Sequence, residues 1–375
     1  MTFTNHWTFH IPVQIRFGCG AVSRLPAAVS RLQPSRIAVA VSKSALKIES
    51  VRNVIEQLAP VLVFTDIQPN PAVANVDALA NALRKSQADA VVALGGGSVL
   101  DCTKAAAFLA KQPDSSIRPF HSEGKPVAGE CLPMIAVPTT AGTGSEVTPI
   151  AVLDDEEKNI KLPLASPLFY PKTAVVDPDL TLSVPLAVTA ATALDALSHA
   201  VEGFWSKNHQ PICDILAEES ARIIFQHLET VLKNPLDIRG REQLSYAALL
   251  AGLAFHQPKN AVIHACSFPL SQHFHLPHGA ACALTMEAAI RLNAPFMNGR
   301  MEHFIRSCGF DSVTKLNETI TRFKRLGGLP CSLKEAGITP DDLPVLVQKS
   351  VHPLLNNNPK TITESDLQQL YSELL

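Results

Sequence analysis

The sequence predicts two domains: an α/β domain built on a parallel sheet over residues 1–185, then an all-α domain over residues 186–375. Three observations predict it. Short apolar runs alternate with helical runs through the first half, and glycine-rich loops follow two of those runs. Beyond Ser183-Val-Pro185 helical runs dominate to the end of the chain. At 375 residues the chain is also too long for one typical domain, so two is the natural division.

Composition narrows the function classes. Apolar residues make up 46% and charged residues 18%, enough for a large core and too apolar for a disordered chain. The formal charge of -2 and the lack of basic runs argue against a nucleic-acid surface. No apolar run approaches the roughly 20 residues that span a bilayer. The start, Met-Thr-Phe-Thr-Asn-His-Trp7, has neither a basic nor an apolar leader segment. Eight cysteines lie scattered without CxxC pairs and read as reduced, mostly buried residues of a cytoplasmic protein.

Taken in order, residues 11–17 alternate apolar and polar and read as a strand, followed by Phe17-Gly-Cys-Gly20 and a helix over 22–32. Ile37-Ala-Val-Ala-Val41 is a short β-type run, Ser42-Lys-Ser follows, and a helix is expected over 48–58. Residues 61–64 form another strand, then Pro69-Asn-Pro71 and a helix over 76–85. Ala90-Val-Val-Ala-Leu94 is a buried strand running into Gly95-Gly-Gly-Ser98. Residues 134–137 are a strand leading to Pro138-Thr-Thr-Ala-Gly-Thr-Gly144-Ser-Glu146, and one more strand is expected within 161–179. This alternation is the signature of a parallel sheet covered on both faces.

Both glycine loops fall where strands end, which is where open α/β sheets bind ligands. Gly95, Gly96, Gly97 and Ser98 precede a helix whose N-terminal amides favour a phosphate. The hydroxyls of Thr139, Thr140 and Thr143 suit ribose and phosphate contacts. Two such loops on one sheet favour a nucleotide over a pair of plain turns. Neither is G-x-G-x-x-G or a Walker loop.

In the helical half, Asp195-Ala-Leu-Ser-His199 places two polar side chains on one face of a helix, one turn apart. By itself such a pair is equally an ordinary helical contact. His264 and His278 sit downstream among apolar and small residues, where an unpaired imidazole is costly to bury. One carboxylate and three imidazoles suit iron or zinc rather than magnesium or calcium, and leave the ion enough charge to polarise an oxygen. Hydrogen-bonded core histidines are the competing explanation. Cys266, two residues after His264, reads as packing.

Along nearly its whole length the chain resembles the iron-containing (group III) alcohol dehydrogenases. The resemblance is carried in order by Phe17-Gly-Cys-Gly20, Pro69-Asn-Pro71, Gly95-Gly-Gly-Ser98-Val-Leu-Asp101-Cys-Thr-Lys104, Pro138 to Glu146, Val176-Asp-Pro178, Asp195-Ala-Leu-Ser-His199 and Leu276-Pro-His278-Gly279. It implies an N-terminal dinucleotide-binding domain and a C-terminal metal-binding domain. The implied metal ligands are Asp195, His199, His264 and His278, for Fe²⁺ with Zn²⁺ as the alternative. The implied nucleotide is NAD or NADP. Its pyrophosphate lies against Gly95, Gly96, Gly97 and Ser98 with Asp101 close by, its nicotinamide and ribose beside Thr139, Thr140 and Thr143, and Lys161 on the ribose side. A homodimer is the expected assembly.

Three departures from the family pattern matter. The position four residues after the third ligand, often a proton-relay histidine, is Phe268, which moves the proton source to water, a ribose hydroxyl or a histidine such as His273. The position after the second strand, often an aspartate that grips the adenosine ribose, is Ser42 followed by Lys43, which admits NADPH beside NADH. The usually glycine-rich segment before His264 reads His256-Gln-Pro-Lys259-Asn. In a helical segment Lys259 would stand little more than a turn from His264, placed to meet an anionic substrate. With Phe204-Trp205 and His264-Ala-Cys-Ser-Phe268, this is most similar to the phosphonoacetaldehyde reductase branch, which makes 2-hydroxyethylphosphonate.

The expected activity is therefore metal-dependent hydride transfer between NAD(P)H and a short aldehyde, with phosphonoacetaldehyde the suggested substrate. Two rivals on the same scaffold are a maleylacetate-type reductase without metal and a metal- and NAD-dependent lyase of the dehydroquinate-synthase type. The intact Asp195 and histidines argue against the first, and the 138–146 loop against the second.

Overall fold

The computed structural model describes residues 6–375. The chain forms two compact units, Val13–Pro185 with Leu236–Ser245, and Leu186–Pro235 with Tyr246–Leu375 and the residues up to Pro12. A single cut at Pro185 misses the two short segments that cross over. Thr8 shows why the N-terminal one does so: its carbonyl accepts a hydrogen bond from Gln210 Nε2 at 3.3 Å.

The α/β unit is organised by eight strands: β1 (Gln14–Phe17), β2 (Ile37–Val41), β3 (Leu62–Phe64), β4 (Ala90–Gly95), β5 (Met134–Pro138), β6 (Ile150–Asp155), β7 (Ile160–Ala165) and β8 (Thr173–Val176). Six of them form a sheet in the order β1-β8-β5-β4-β2-β3, and all its pairings are parallel. β2 and β4 are buried at every residue, which is why they read as unbroken apolar runs.

Helices α1 (Leu25–Ser30), α2 (Glu49–Leu58), α3 (Val73–Lys85), α4 (Gly97–Leu109) and α5 (Arg118–Ser122) connect the strands. Successive strand residues feed two separate cores. Ala38, Ala40, Val91 and Ala93 pack with Val76, Leu79, Leu83, Leu100 and Phe108 from α3 and α4. Ile37, Val39, Val41, Val92 and Leu94 pack with Leu25, Val29, Val51 and Val54 from α1 and α2.

One expectation changes here. The stretch 161–179 carries two strands, not one: β8 joins the main sheet, while β7 pairs antiparallel with β6 as a separate hairpin. Pro163 inside β7 interrupts the period-2 signal that would have shown it.

The helical unit begins with α6 (Leu186–Trp205) and α7 (Pro211–Lys233), takes α8 (Ile238–Phe255) from Tyr246 onward, and reaches α9 (Val262–His273) and α10 (His278–Asn293). α6 is buried along almost its entire length, so it serves as the core of this unit. Two glycines set how closely it is crossed. A Cβ on Gly279 would stand 2.2 Å from the Ala191 carbonyl oxygen, so the N-terminus of α10 lies directly on the α6 backbone beside Asp195. A Cβ on Gly203 would stand 3.1 Å from the Ala254 carbonyl oxygen, so the end of α8 also packs on the α6 backbone, less tightly. Among the described residues no helix is long and apolar enough to cross a membrane.

Candidate active site

Ser42, Gly95 and Thr139 form a row across the carboxyl ends of β2, β4 and β5. The Ser42 amide donates to Leu94 O at 3.1 Å and the Thr139 amide to Gly95 O at 3.0 Å. The chain leaves β2 for β3 on one side and β4 for β5 on the other, so the winding reverses between β2 and β4. That reversal opens the crevice in which such sheets bind nucleotides.

α4 starts at this point from Gly96, with no side-chain cap on its first amides. The two loops lock together. A Cβ on Gly97 would sit 2.6 Å from Thr143 Cγ2, and one on Gly96 would sit 3.4 Å from Thr140 Oγ1. Ser98 Oγ accepts from the Asn70 amide at 3.2 Å, and Lys161 Nζ donates to Asn70 Oδ1 at 2.9 Å. The Pro69-Asn-Pro71 turn thus joins Ser98 and Lys161, with Asn70 held at φ 54°.

Asp101 is otherwise engaged than a place beside the pyrophosphate suggests. Its Oδ1 accepts from Ser145 Oγ at 2.5 Å and its Oδ2 from the Val152 amide at 2.9 Å, while Lys104 Nζ lies 3.7 Å away. It fastens α4 to β6 and to the second loop. Lys104 is fully buried, and burial lowers it to about 8. At the rim, Lys43 pairs with Asp66 at 3.4 Å, both exposed, so a carboxylate that the sequence motifs do not show stands near Ser42.

In the helical unit, Asp195, His264, His278 and Cys282 each present one donor atom, and these four atoms all lie within 4.8 Å of one another. Asp195 Oδ1 is 3.7 Å from Nε2 of both His264 and His278, too long for a hydrogen bond. The Asp195 carboxylate and the His264 imidazole are buried, and each meets the thiol of Cys282, a weak hydrogen-bonding group. Two donors on one tetrahedral metal stand roughly 3.3–3.6 Å apart, given bonds of about 2.0–2.3 Å. The convergent atoms and their spacing fit a divalent transition ion. Burial lifts the Asp195 carboxyl to about 6, a cost that a bound cation removes.

Glu202 was not anticipated. It lies seven residues after Asp195, two turns along the same face of α6. Its Oε2 accepts from His264 Nδ1 at 2.6 Å and its Oε1 from the Ile263 amide at 2.6 Å. A carboxylate only accepts, so Nδ1 carries a proton and Nε2 is the nitrogen turned toward the cluster, where a bound cation would take the place of a second proton. Burial opposes a charged His264, but Cys282 and Glu202 outweigh it and hold this group well above the ordinary histidine range. Cys282 was missed as well. It follows His278 by one helical turn, with its Sγ 3.8 Å from His278 Nε2.

His199 is not among the four convergent atoms. Its ring stacks between Phe255, at a centroid distance of 4.1 Å, and His264, at 4.6 Å and 27°. Phe268 stacks on His278 at 6.3 Å and meets His352 edge-on at 5.2 Å. Besides His278, the imidazole packed against Phe268 is His352, whereas His273 stands at the C-terminal end of α9.

Lys259 lies in the loop between α8 and α9, not on a helix, and has a left-handed φ of 71°. Five residues before His264 is thus not helical spacing. Burial lowers its ammonium, and no ion pair to it occurs among the described residues.

Residues 12–178 match the iron-containing alcohol dehydrogenase family, and residues 189–375 match the C-terminal model of the Fe-containing alcohol dehydrogenases. The chain is 32% identical to the 1-propanol dehydrogenase of Salmonella typhimurium over 343 residues, 88% of this chain and 89% of that one. It superposes on sulfoacetaldehyde reductase from Bifidobacterium kashiwanohense, solved in complex with NAD+, with a TM-score of 0.93, 40% identity and 99% of both chains covered. A 1,3-propanediol oxidoreductase gives a TM-score of 0.92 at 27% identity, covering 99% of this chain and 100% of that one. The anionic-aldehyde reductase among these relatives is named for a sulfonate, where the sequence suggested a phosphonate. On both family matches and a relative above 30% identity, the chain belongs to the iron-containing alcohol dehydrogenase family.

Proposed function

We propose that this enzyme reduces a short aldehyde carrying a compact anionic group, with sulfoacetaldehyde the first candidate and phosphonoacetaldehyde the second, using NAD(P)H. The observation that supports the redox reading is the convergence of Asp195, His264, His278 and Cys282 on one point, with donor atoms all within 4.8 Å of one another. A bound divalent ion, Fe²⁺ or Zn²⁺, supplies Lewis-acid polarisation of a carbonyl oxygen, and a bound nicotinamide supplies the hydride.

The chain's own residues do the rest. Asp195, His264 and His278 hold the ion, with a fourth donor drawn from His199 or Cys282, and Glu202 fixes the His264 tautomer. Gly95, Gly96, Gly97 and Ser98 receive the pyrophosphate, while Thr139, Thr140, Thr143 and Lys161 border the ribose and nicotinamide. Lys259, a half-buried ammonium without an ion-pair partner, supports the anionic part of the reading. So does the 40% identical sulfoacetaldehyde reductase.

The test is a spectrophotometric panel of sulfoacetaldehyde, phosphonoacetaldehyde and propanal with NADH and NADPH, after loading with Fe²⁺ or Zn²⁺. A kcat/KM for either anionic aldehyde well above that for propanal is expected. Equal or better use of propanal overturns the anionic assignment, and no aldehyde turnover with any metal overturns the redox one.

A further inference from the structure

Lys259 sits in a left-handed turn, φ 71°, and side chains from elsewhere in the helical unit hold the carbonyls on both sides of it. Such backbone is unfavourable for any residue with a Cβ and persists only where its surroundings fix it. The Pro258 carbonyl accepts from Ser206 Oγ at 2.6 Å, and the Asn260 carbonyl accepts from Asn357 Nδ2 at 2.9 Å. The Lys259 amide itself donates to Phe255 O at 2.7 Å. Ser206 is fully buried just beyond the end of α6, and Asn357 closes the short 3-10 turn Pro353–Asn357.

Resting on the anionic-aldehyde reading above, we propose that Asn357 is a positioning residue for substrate specificity: it sets the turn that presents the Lys259 ammonium to the anionic end of the substrate. Asn357 is suited to this because it ties three stretches of chain together. Its Nδ2 serves the Asn260 carbonyl, its Oδ1 accepts from Asn208 Nδ2 at 3.1 Å, and its own carbonyl accepts from the Lys207 amide at 2.8 Å. Both ends of the side-chain amide are engaged, which fixes its orientation. Next to it the buried Asn358 exchanges hydrogen bonds of 2.7 and 2.9 Å with Asn293 of α10, so the segment rests on a fixed support. The ammonium on the turn carries the sign that a sulfonate or phosphonate needs, and no ion pair to it occurs among the described residues. A half-buried charge left without a counter-ion is costly. A turn held this firmly around such a charge therefore fits a ligand contact better than a plain connection between helices.

The metal-loaded enzyme is assayed with sulfoacetaldehyde and propanal as wild type, Asn357→Ala, Lys259→Met and the double variant. Asn357→Ala is expected to lower kcat/KM for sulfoacetaldehyde relative to propanal by roughly tenfold, mostly through KM. That is the lower end of what a charged contact contributes, because the ammonium is mis-set rather than removed. Since Asn357 acts through Lys259, the double variant should lose no more selectivity than Lys259→Met alone. Asn208→Ala, an exposed change that only frees the Asn357 amide, should give a smaller loss of the same kind. It decides the matter if Asn357→Ala does not fold, an unchanged ratio then overturning the proposal. Losses that add in the double variant, or an Asn357→Ala defect equal on both substrates, overturn the positioning role and leave the Lys259 contact standing on its own variant. Unchanged selectivity in Lys259→Met overturns the anionic reading itself, and this inference with it.

Discussion

Nδ1 of His264 lies 2.6 Å from Oε2 of Glu202, and that bond decides which ring nitrogen faces Asp195. Glu202→Gln keeps the size of the side chain but replaces a carboxylate with an amide that can also present a donor to Nδ1. It should weaken metal binding by roughly ten- to a hundredfold, the usual cost of losing an outer partner of a ligating imidazole. Chelator competition measures this, and unchanged affinity would show that the bond serves packing alone.

His264→Ala and His278→Ala each remove one of the convergent nitrogens. Both variants should lose the metal on dialysis and drop in turnover by orders of magnitude, because the Lewis acid goes with it. Elemental analysis is the check. Full occupancy in both would rule these residues out as ligands.

Lys259→Met tests the anionic substrate. A hydrogen bond to a charged group contributes about 1.5–3 kcal/mol, which corresponds to roughly ten- to a hundredfold in kcat/KM. Reduction of sulfoacetaldehyde or phosphonoacetaldehyde should fall by that factor while propanal, with no anion to lose, is little affected. Equal losses on all substrates would make Lys259 structural, as its left-handed turn position alone would predict.

At the adenosine end, Ser42→Asp should shift preference toward NADH, since a carboxylate accepts from a ribose 2′-OH and repels a 2′-phosphate. Asp66, paired with Lys43 at 3.4 Å, already sets a carboxylate nearby, so Asp66→Asn should shift preference the other way. The readout is the ratio of kcat/KM values for NADH and NADPH. If neither substitution moves that ratio, the ribose lies elsewhere.

Gly97→Ala introduces a Cβ 2.6 Å from Thr143 Cγ2 and must push the two loops apart. An ångström of displacement at a binding loop can cost about a hundredfold. The KM for the nucleotide should rise by ten- to a hundredfold while metal content stays at the wild-type level. A change in metal content instead would mean that the substitution damages folding generally.

The alternation of strands and helices and the parallel sheet were written in the sequence, because their signals are local. Ile37-Ala-Val-Ala-Val41 and Ala90-Val-Val-Ala-Leu94 are apolar at every position since both faces are covered, and the glycine loops fall where those strands end. Asp195 could be named for the same reason, its partner in the motif being one helical turn away. His264 and His278 came from their apolar context and the family resemblance. The β6–β7 hairpin was hidden by Pro163, and the condition on which Lys259 would stand a turn from His264, a helical segment, is not met by its left-handed backbone.

What the tertiary structure alone decided is which side chains converge. Asp101 is drawn to Ser145 and Val152, 44 and 51 residues away along the chain. Glu202 reaches His264 across 62 residues, and Cys282 joins the cluster while His199 stacks beside it. Helical periodicity says that residues one turn apart share a face, but not what that face meets. Gly279 against the Ala191 carbonyl answers that question: a contact with no room for a Cβ fixes where α10 crosses α6, and with it the ring of donors around Asp195.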